Sequence, residues 1–431
     1  MEFIQTKAKD KIKAAVVLPQ QIGVYTQFSP QMRLEEAKGL ALAIDLEVVY
    51  AKIVKIRQIR PATYFSGSFS EKMLQIIQDC GIELLIVDTS LTPVQQRNME
   101  KALKIKVIDR TALILEIFGE RAKTREGILQ VELAHLTYQR SRLVRSWTHL
   151  ERQRGGAGFL GGPGETQIEL DRRIIDDKIV KLKKELEKVK KTRGLQRSSR
   201  KKVPYPTVAL VGYTNAGKSM LFNQITQENV FSKDLLFATL DPTLRKIKLP
   251  SGKEAILSDT VGFISDLPHE LIMSFRATLE EVLSADVIVH VIDASGECAA
   301  QQQAEVIKVL QNLGLEHIEN KQNYIEVLNK SDLLAPDIKQ GLVQRYQNQK
   351  NVIVASALKK EGISELLARV DEILSVSEET AELKISADNG ALIAAVYRNA
   401  EVIKTKNCDE YIIFEIKSSP HNIAKLKKMN I

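Results

Sequence analysis

The residues most clearly suited to chemistry form the segment GYTNAGKS, residues 212–219. A β-rich run at residues 208–211 precedes this segment and a helix-like run follows it, so the pattern G-x-x-x-x-G-K-S lies between a strand and a helix. In that setting backbone N–H groups surround phosphates, Lys218 bridges the β- and γ-phosphates, and the Ser219 hydroxyl ligates Mg²⁺. The segment predicts a nucleoside triphosphate site and does not identify the base.

Three further segments indicate the base. DTVG at residues 259–262 follows the β-rich run EAILS, which suits Asp259 for holding Mg²⁺ through water and Gly262 for donating its N–H to the γ-phosphate. In NKSD, residues 329–332, the Asp332 carboxylate can accept two hydrogen bonds from guanine that adenine cannot donate. SAL, residues 356–358, suits a backbone donor to guanine O6. The four segments, in this order, resemble the translation-factor-related class of small GTPases and predict a GTP site.

Two residues differ from a Ras-like arrangement. Phe263 follows DTVG, where a glutamine would normally orient the attacking water, and a phenyl ring can neither donate nor accept a hydrogen bond. We therefore expect hydrolysis to be slow in isolation. Asn215 matches the asparagine through which a subset of these GTPases bind K⁺, which would stabilise developing charge. The alternative for Asn215, a loop residue that tolerates unusual dihedral angles, stays open.

The segment LLFATLDPTLRKIKLP supplies two candidates for the threonine that ligates Mg²⁺, Thr239 and Thr243, and Thr239 fits related switch patterns better. The predicted catalytic residues are Lys218, Thr239, Gly262 and Asn215. The predicted Mg²⁺ ligands are Ser219, Thr239 and Asp259. The predicted nucleotide contacts are Gly212, Tyr213, Thr214, Asn215, Ala216, Gly217, Lys218, Ser219, Phe237, Ala238, Thr239, Asp259, Thr260, Val261, Gly262, Asn329, Lys330, Asp332, Ser356, Ala357 and Leu358.

These residues require a β/α framework, and the chain shows two. Residues 1–117 alternate β-rich runs such as AAVVL and ELLIVD with helical runs, which predicts a small parallel α/β subdomain. Residues 207–375 form a second βα series, the predicted P-loop GTPase domain. Residues 376–431 form a small α+β C-terminal domain with strand-like runs ALIAAVYR and YIIFEIK. The predicted fold class is α/β.

Residues 118–193 predict an antiparallel helical hairpin. Apolar residues recur at spacings of three and four from Leu129 to Leu150 and again from Ile168 to Val189. Between these runs lies GGAGFLGGPGE, residues 155–165, which is too rich in glycine for a helix. The first arm would be ~50 Å long at 1.5 Å per residue. Residues 194–206 are predicted to form a basic linker that contains prolines.

The positive charge is concentrated in this hairpin. Residues 120–202 hold 22 Lys and Arg against 11 Asp and Glu, a net of +11, whereas the remaining residues have a net of −3. A concentration of basic charge favours a polyanionic partner, because neutralised phosphates release counterions. The segment therefore favours RNA over a protein or membrane partner.

Composition limits the class of protein. With 431 residues, 44% hydrophobic and 27% charged, the chain resembles an ordinary globular protein. Its three cysteines are scattered, which argues against a disulfide framework. Apolar runs are too short for a membrane span or a signal peptide. We expect a monomeric cytoplasmic protein without stable membrane insertion; partial peripheral attachment to a membrane stays open.

The chain as a whole resembles the HflX family of ribosome-associated GTPases. The resemblance rests on VIDRTALILEIFGERAKTREGILQVELAHL, GGPGETQIELDRR, FATLDPT and DTVGFISDLP, and spans about residues 30–431. It implies GTP and Mg²⁺ as ligands, binding to the large ribosomal subunit and its RNA, and GTP-dependent splitting of vacant or stalled ribosomes under stress. Two alternatives remain: a GTP-switched RNA-binding stress factor that does not split ribosomes, and a GTPase that acts on a protein or membrane partner.

Overall fold

The computed structural model describes residues 11–151, 163–200, 205–227, 236–237, 243–266, 282–315, 317–376, 379–408, 410–418 and 420–429. Within them the chain forms an α/β protein with a parallel N-terminal subdomain, a helical hairpin, a P-loop domain and a small α+β C-terminal domain. No helix among these residues is both long and apolar enough to cross a membrane.

The N-terminal subdomain is a four-stranded parallel sheet with helices, as its alternating pattern predicts. Its strand order is β2-β1-β3-β4. Helix caps mark the boundaries; Asp109, for example, accepts a hydrogen bond from the backbone N–H of Ala112 at 2.8 Å. The strands are β1 Lys13–Gln21, β2 Glu47–Ile56, β3 Leu84–Val87 and β4 Lys106–Asp109, and the helices are α1 Pro30–Ala43, α2 Gly67–Cys80, α3 Pro93–Leu103 and α4 Arg110–Arg121.

Two long helices, α5 Arg125–Glu151 and α6 Pro163–Arg200, form the hairpin. Leu129 packs against Leu182 and Leu186, and Arg140 pairs with Asp176 at 3.0 Å. As the residue number of the contact rises along α5, the number of its partner on α6 falls. The helices are therefore antiparallel, as predicted. Residues 152–162, most of the predicted glycine-rich tip, lie outside the described residues.

One boundary of the hairpin differs from the prediction. Helix α6 continues to Arg200, so residues 194–200 are helical although we predict a linker there. The single Gly194 costs a helix ~1 kcal/mol, which is too little to end so long a helix, and the first proline comes at Pro204. The described chain resumes at residue 205.

The P-loop domain holds a six-stranded sheet in the order β10-β9-β8-β5-β7-β6, in which β6 is antiparallel to β7 and the other neighbours are parallel. The carboxyl ends of β5, β7, β8 and β9 therefore meet at one edge. The strands are β5 Thr207–Gly212, β6 Thr243–Lys248, β7 Glu254–Asp259, β8 Val287–Asp293, β9 Tyr324–Asn329 and β10 Val352–Val354; the helices are α7 Lys218–Thr226, α8 Ala299–Asn312, α9 Pro336–Tyr346 and α10 Ile363–Val376.

The C-terminal domain is an antiparallel sheet in the order β11-β13-β12 with two helices. YIIFEIK forms a strand as predicted, but ALIAAVYR is helical, because Asn389 caps its first turn and Leu392 and Val396 are buried at helical spacing. The elements are β11 Glu379–Ser386, α11 Gly390–Asn399, β12 Glu401–Asn407, β13 Tyr411–Ser418 and α12 Pro420–Met429.

A single hydrophobic cluster joins the N-terminal subdomain to the P-loop domain. It includes Leu40 and Phe118 from the first, and Phe237, Phe263 and Val282 from the second. The two units therefore share a core, and the nucleotide loops lie beside it.

Candidate functional site

The loop between β5 and α7 requires glycine at both ends. Gly212 and Gly217 have φ values of 152° and 95°. A Cβ atom at Gly212 would collide with the carbonyl oxygen of Val291, and one at Gly217 with the side-chain amide of Asn329. The loop is therefore packed between β8 and the predicted base motif. At its centre Asn215 is exposed with φ 60°, in the left-handed region.

Lys218 lies inside this loop. Its Nζ donates to the carbonyl oxygens of Gly212 at 3.0 Å and Tyr213 at 2.8 Å, and the side chain is 6% exposed. Burial lowers the pKa of Lys218 to about 8, and the nearby Asp259 carboxylate opposes this shift. A buried ammonium group surrounded by backbone polar groups is suited to receive phosphate oxygens.

Two of the three residues predicted to hold Mg²⁺, Ser219 and Asp259, lie together. The Ser219 hydroxyl donates to Oδ2 of Asp259 at 2.7 Å, because α7 begins beside the carboxyl end of β7. Hydroxyl and carboxylate oxygens are ligands that Mg²⁺ prefers. Within the described ranges no group of three or more His, Cys, Asp or Glu side chains could hold a metal ion.

The DTVG segment approaches the loop where a γ-phosphate would lie. A Cβ atom at Gly262 would come within 2.8 Å of Thr214 Cγ2 and 3.1 Å of Lys218 Nζ. Glycine therefore lets the backbone come close to the lysine. The buried Oγ1 of Thr214 has no hydrogen-bond partner within the described part of the chain. This hydroxyl and the Gly262 backbone fit a phosphate group.

Phe263 pairs with the loop through its backbone. Its N–H donates to Gly212 O at 3.1 Å and its carbonyl accepts from Thr214 N at 2.7 Å. Its ring is 3% exposed and belongs to the core shared with the N-terminal subdomain. A buried ring cannot orient the attacking water.

The base motif is tied to the phosphate loop by Asn329. Its Nδ2 donates to Ala216 O at 2.9 Å, and its Oδ1 accepts from Ala357 N at 2.9 Å. The Ser356 hydroxyl donates to Asp332 at 2.5 Å and so fixes the orientation of the carboxylate. The NKSD and SAL segments therefore form one unit. Leu358 is 62% exposed at its edge.

Two supporting residues near the site are absent from the sequence prediction. Asp293, the last residue of β8, pairs with Lys330 at 2.7 Å, and its location at the carboxyl end of a strand was the available signal. His290 lies on the same strand, with Nδ1 2.6 Å from the Tyr324 hydroxyl. Burial, with a smaller effect of Lys218, lowers the pKa of His290 to about 3, so this imidazole is neutral.

The predicted switch residues have different outcomes. Ala238 and Thr239 lie outside the described residues, whereas Thr243 is the first residue of β6. Phe237, predicted at the nucleotide, is 2% exposed and packs edge-on against Phe118, with ring centroids 4.8 Å apart. Its side chain therefore contacts the N-terminal subdomain, and a contact of Phe237 with the nucleotide stays a prediction. Thr260 donates to Leu210 O at 2.6 Å and Val261 is buried, so both support the DTVG segment.

Four family models match successive parts of the chain. They are described as GTP-binding GTPase N-terminal at residues 31–119, GTP-binding GTPase Middle Region at 121–200, 50S ribosome-binding GTPase at 207–330 and HflX C-terminal domain at 341–429.

Similar whole proteins carry the same family name. The chain is 45% identical to the GTPase HflX of Magnetococcus marinus, over 93% of this chain and 91% of that protein. It is 42% identical to the GTPase HflX of Escherichia coli K12, over 87% and 86% respectively. The crystal structure of SsGBP in complex with GDP matches with a TM-score of 0.50 and 25% identity, over 84% of this chain and 98% of that one. The chain is a GTPase and belongs to the HflX family.

Proposed function

We propose that this GTPase binds the large ribosomal subunit and its RNA and, in the GTP state, splits vacant or stalled ribosomes during stress. GTP hydrolysis then releases it. We further propose that it acts in the cytoplasm as a monomer. The observation that carries the proposal is a basic helical hairpin fixed to the body that binds the nucleotide.

The hairpin presents lysines along its second helix. Lys178, Lys181, Lys184, Lys188 and Lys191 are exposed on α6, whereas Ile179, Leu182 and Leu186 are buried against α5 and its neighbours. The apolar side of the helix thus holds the hairpin together and the basic side faces solvent. A row of cations at this spacing suits the phosphates of RNA.

The base of the hairpin is anchored to the N-terminal subdomain. The Tyr138 hydroxyl donates to Asp109 at 2.9 Å, and Arg142 donates to the carbonyl oxygen of Leu91 at 3.2 Å. Beyond this anchor the helices continue; α6, with 38 residues, is ~57 Å long. An anchored hairpin of this length can carry its tip into an RNA cavity and transmit force to the body.

In this proposal the nucleotide site controls the hairpin. Lys218 and the Gly262 N–H would bind the γ-phosphate, Ser219 and Asp259 would hold Mg²⁺, and Thr239 would complete the metal site in a segment that GTP orders. K⁺ bound at Asn215 would assist hydrolysis. Asp332 selects guanine. Loss of the γ-phosphate would release the ordered segment and end the splitting-competent state.

Sedimentation of ribosomes with the protein tests the proposal. With a non-hydrolysable GTP analogue, we expect the protein in the 50S fraction and a loss of 70S particles; with GDP we expect neither. Changing Lys181, Lys184 and Lys188 to Gln should weaken binding to ribosomes. The slope of log affinity against log salt concentration should become less steep by the amount that about three phosphate contacts contribute. A matched triple change of exposed lysines in the N-terminal subdomain, Lys52, Lys72 and Lys101, should leave both unchanged.

Other outcomes would support the alternatives. Nucleotide-dependent binding to RNA without loss of 70S particles would identify a GTP-switched RNA-binding factor. Sedimentation apart from ribosomal subunits in every nucleotide state would refute the proposal and leave a protein or membrane partner.

A further inference from the structure

Thr214 carries a buried hydroxyl group that has no hydrogen-bond partner within the described part of the chain. The residue is only 6% exposed. Leaving a buried hydroxyl without a partner is unfavourable, and such groups are rare in native proteins. Because Thr214 belongs to the loop between β5 and α7, its hydroxyl is a candidate for contact with a ligand of that loop.

The backbone of Thr214 is held in place by the DTVG segment. Its N–H donates to the carbonyl oxygen of Phe263 at 2.7 Å, and the preceding Tyr213 forms a β-bridge with Phe263. The carbonyl oxygen of Tyr213 in turn accepts from Lys218 Nζ at 2.8 Å. None of these contacts uses the side chain of Thr214. A change of that side chain therefore leaves the pairing of the loop in place.

The side chain of Thr214 lies beside the groups that would meet the γ-phosphate. A Cβ atom at Gly262 would come within 2.8 Å of Thr214 Cγ2 and 3.1 Å of Lys218 Nζ. Oγ1 and Cγ2 share the Cβ atom of Thr214, so the hydroxyl lies at the junction of the loop, the DTVG segment and Lys218. A hydroxyl can both donate and accept a hydrogen bond, as contact with a phosphate oxygen and a water molecule together requires.

Neighbouring side chains are poorly suited to hold the attacking water. The Phe263 ring has no polar atom and is buried in the core. Lys218 can only donate hydrogen bonds and cannot accept one from water. The Thr260 hydroxyl already donates to the carbonyl oxygen of Leu210 at 2.6 Å. Thr214 combines a free hydroxyl with a location next to Gly262.

We propose that Thr214 is a catalytic residue of GTP hydrolysis, whose hydroxyl accepts a hydrogen bond from the attacking water and donates one to a γ-phosphate oxygen. The inference rests on the proposed GTP site. The water oxygen forms a bond to the γ-phosphorus, and the bond from that phosphorus to the oxygen that bridges to the β-phosphate breaks. The electron pair of the broken bond leaves with GDP, and a proton of the water passes to an oxygen of the released phosphate. Thr214 orients the water and keeps its own proton.

The test is single-turnover GTP hydrolysis by Thr214→Val, which keeps the shape of the side chain and removes its hydroxyl. We expect the rate constant to fall ~100-fold, the order of loss when one positioned hydrogen-bonding group is removed from a reacting centre. The Kd for GDP should stay within about threefold of the parent value, because GDP lacks the γ-phosphate. The Tm of the protein without nucleotide should not fall, because a methyl group replaces a buried hydroxyl that had no partner.

Two further variants separate the hydroxyl from the shape of the side chain. Thr214→Ser keeps a hydroxyl, and its rate constant should stay within about fivefold of the parent value. Thr226→Val is the matched control, because the partly buried Thr226 hydroxyl donates to the carbonyl oxygen of Phe222 at 2.9 Å within α7, and its rate should not change.

Three results would overturn the proposal. The first is a fall of less than about fivefold in Thr214→Val, or an equal fall in Thr214→Ser. The second is a loss of rate in K⁺ but not in Na⁺, which would place the hydroxyl at the cation. The third is a loss of rate together with a lower Tm and weaker GDP binding, which would indicate a damaged loop. Failure of the proposed GTP site itself is distinguishable, since Asp332→Asn would then leave the base preference unchanged.

Discussion

Replacing Asp332 by Asn tests whether this carboxylate selects guanine. Asp332 Oδ1 accepts from the Ser356 hydroxyl, which fixes the orientation of the carboxylate. In the variant, Ser356 can still donate to the amide oxygen, and the amide nitrogen then faces guanine. The ring N–H of guanine could still donate to the amide oxygen, but the exocyclic amine would meet a second donor. Xanthine, whose 2-oxo group accepts a hydrogen bond, would be matched instead.

The structure limits the size of this effect. A hydrogen bond to a charged acceptor contributes ~1.5–3 kcal/mol, and guanine would lose the one from its exocyclic amine, while the one from its ring N–H would pass from a charged to a neutral acceptor. Asp332 is half-buried, so solvent reduces the total loss to ~2–3 kcal/mol. The Kd for GDP should therefore rise roughly 30–150-fold.

Calorimetric titration with GDP and with xanthosine diphosphate measures both affinities. We expect the preference to move toward xanthosine diphosphate in Asp332→Asn. The control is Asp337→Asn, an exposed carboxylate in the first turn of α9, which should change neither affinity. A GDP affinity that is unchanged in Asp332→Asn would show that another group reads the base.

Three further predictions concern catalysis, the hairpin and pH. GTP hydrolysis should be faster in K⁺ than in Na⁺ at equal ionic strength, and Asn215→Ala should abolish the difference. Equal rates in the two salts for the parent protein would exclude K⁺ from the mechanism of hydrolysis. Replacing residues 155–164 by a short neutral turn should leave GTP binding and intrinsic hydrolysis intact, and should reduce both ribosome splitting and ribosome-stimulated hydrolysis. Splitting at the normal rate would show that these residues only connect the two helices. Because the pKa of Lys218 is lowered to about 8, below the ~10.4 of an unfolded lysine, the unfolded chain binds more protons between these values. Stability of the nucleotide-free protein, measured by urea unfolding, should therefore rise from pH ~8 to ~10, and Lys218→Met should remove this rise.

Local pattern was sufficient for much of the fold and for the strand, loop and helix that carry GYTNAGKS. Spacing within GYTNAGKS, together with the strand before it, predicted a loop whose glycines have the expected conformations. The strand predicted for ALIAAVYR is wrong, because a short run of Ala, Leu, Ile and Val fits a buried strand or a buried helix equally well. The neglected signal was Asn389, whose side chain accepts from Leu392 N at 3.1 Å.

The buried contacts of Glu36 with Arg110 and Tyr213 could not be predicted in this way. Glu36 and Tyr213 are 177 residues apart. The residues next to each of them in the sequence give no indication that the two side chains are in contact. In the sequence Glu36 is an acidic residue of a predicted helix and is not distinguishable from its exposed neighbour Glu35. The contact of Phe237 with Phe118 could not be predicted either, since Phe118 lies in another subdomain.

The shared core has a consequence for synthesis on the ribosome. The N-terminal subdomain is complete at Arg121, but apolar residues such as Leu40 and Phe118 share a hydrophobic cluster with Phe263 and Val282, which follow Arg121 by about 140 and about 160 residues. At ~5–20 residues per second, that interval lasts roughly 8–30 s. During it, the nascent subdomain exposes an unpaired apolar face together with the buried charges of Glu36 and Arg110. The newly made chain therefore needs protection from aggregation until its own P-loop domain emerges and covers that face.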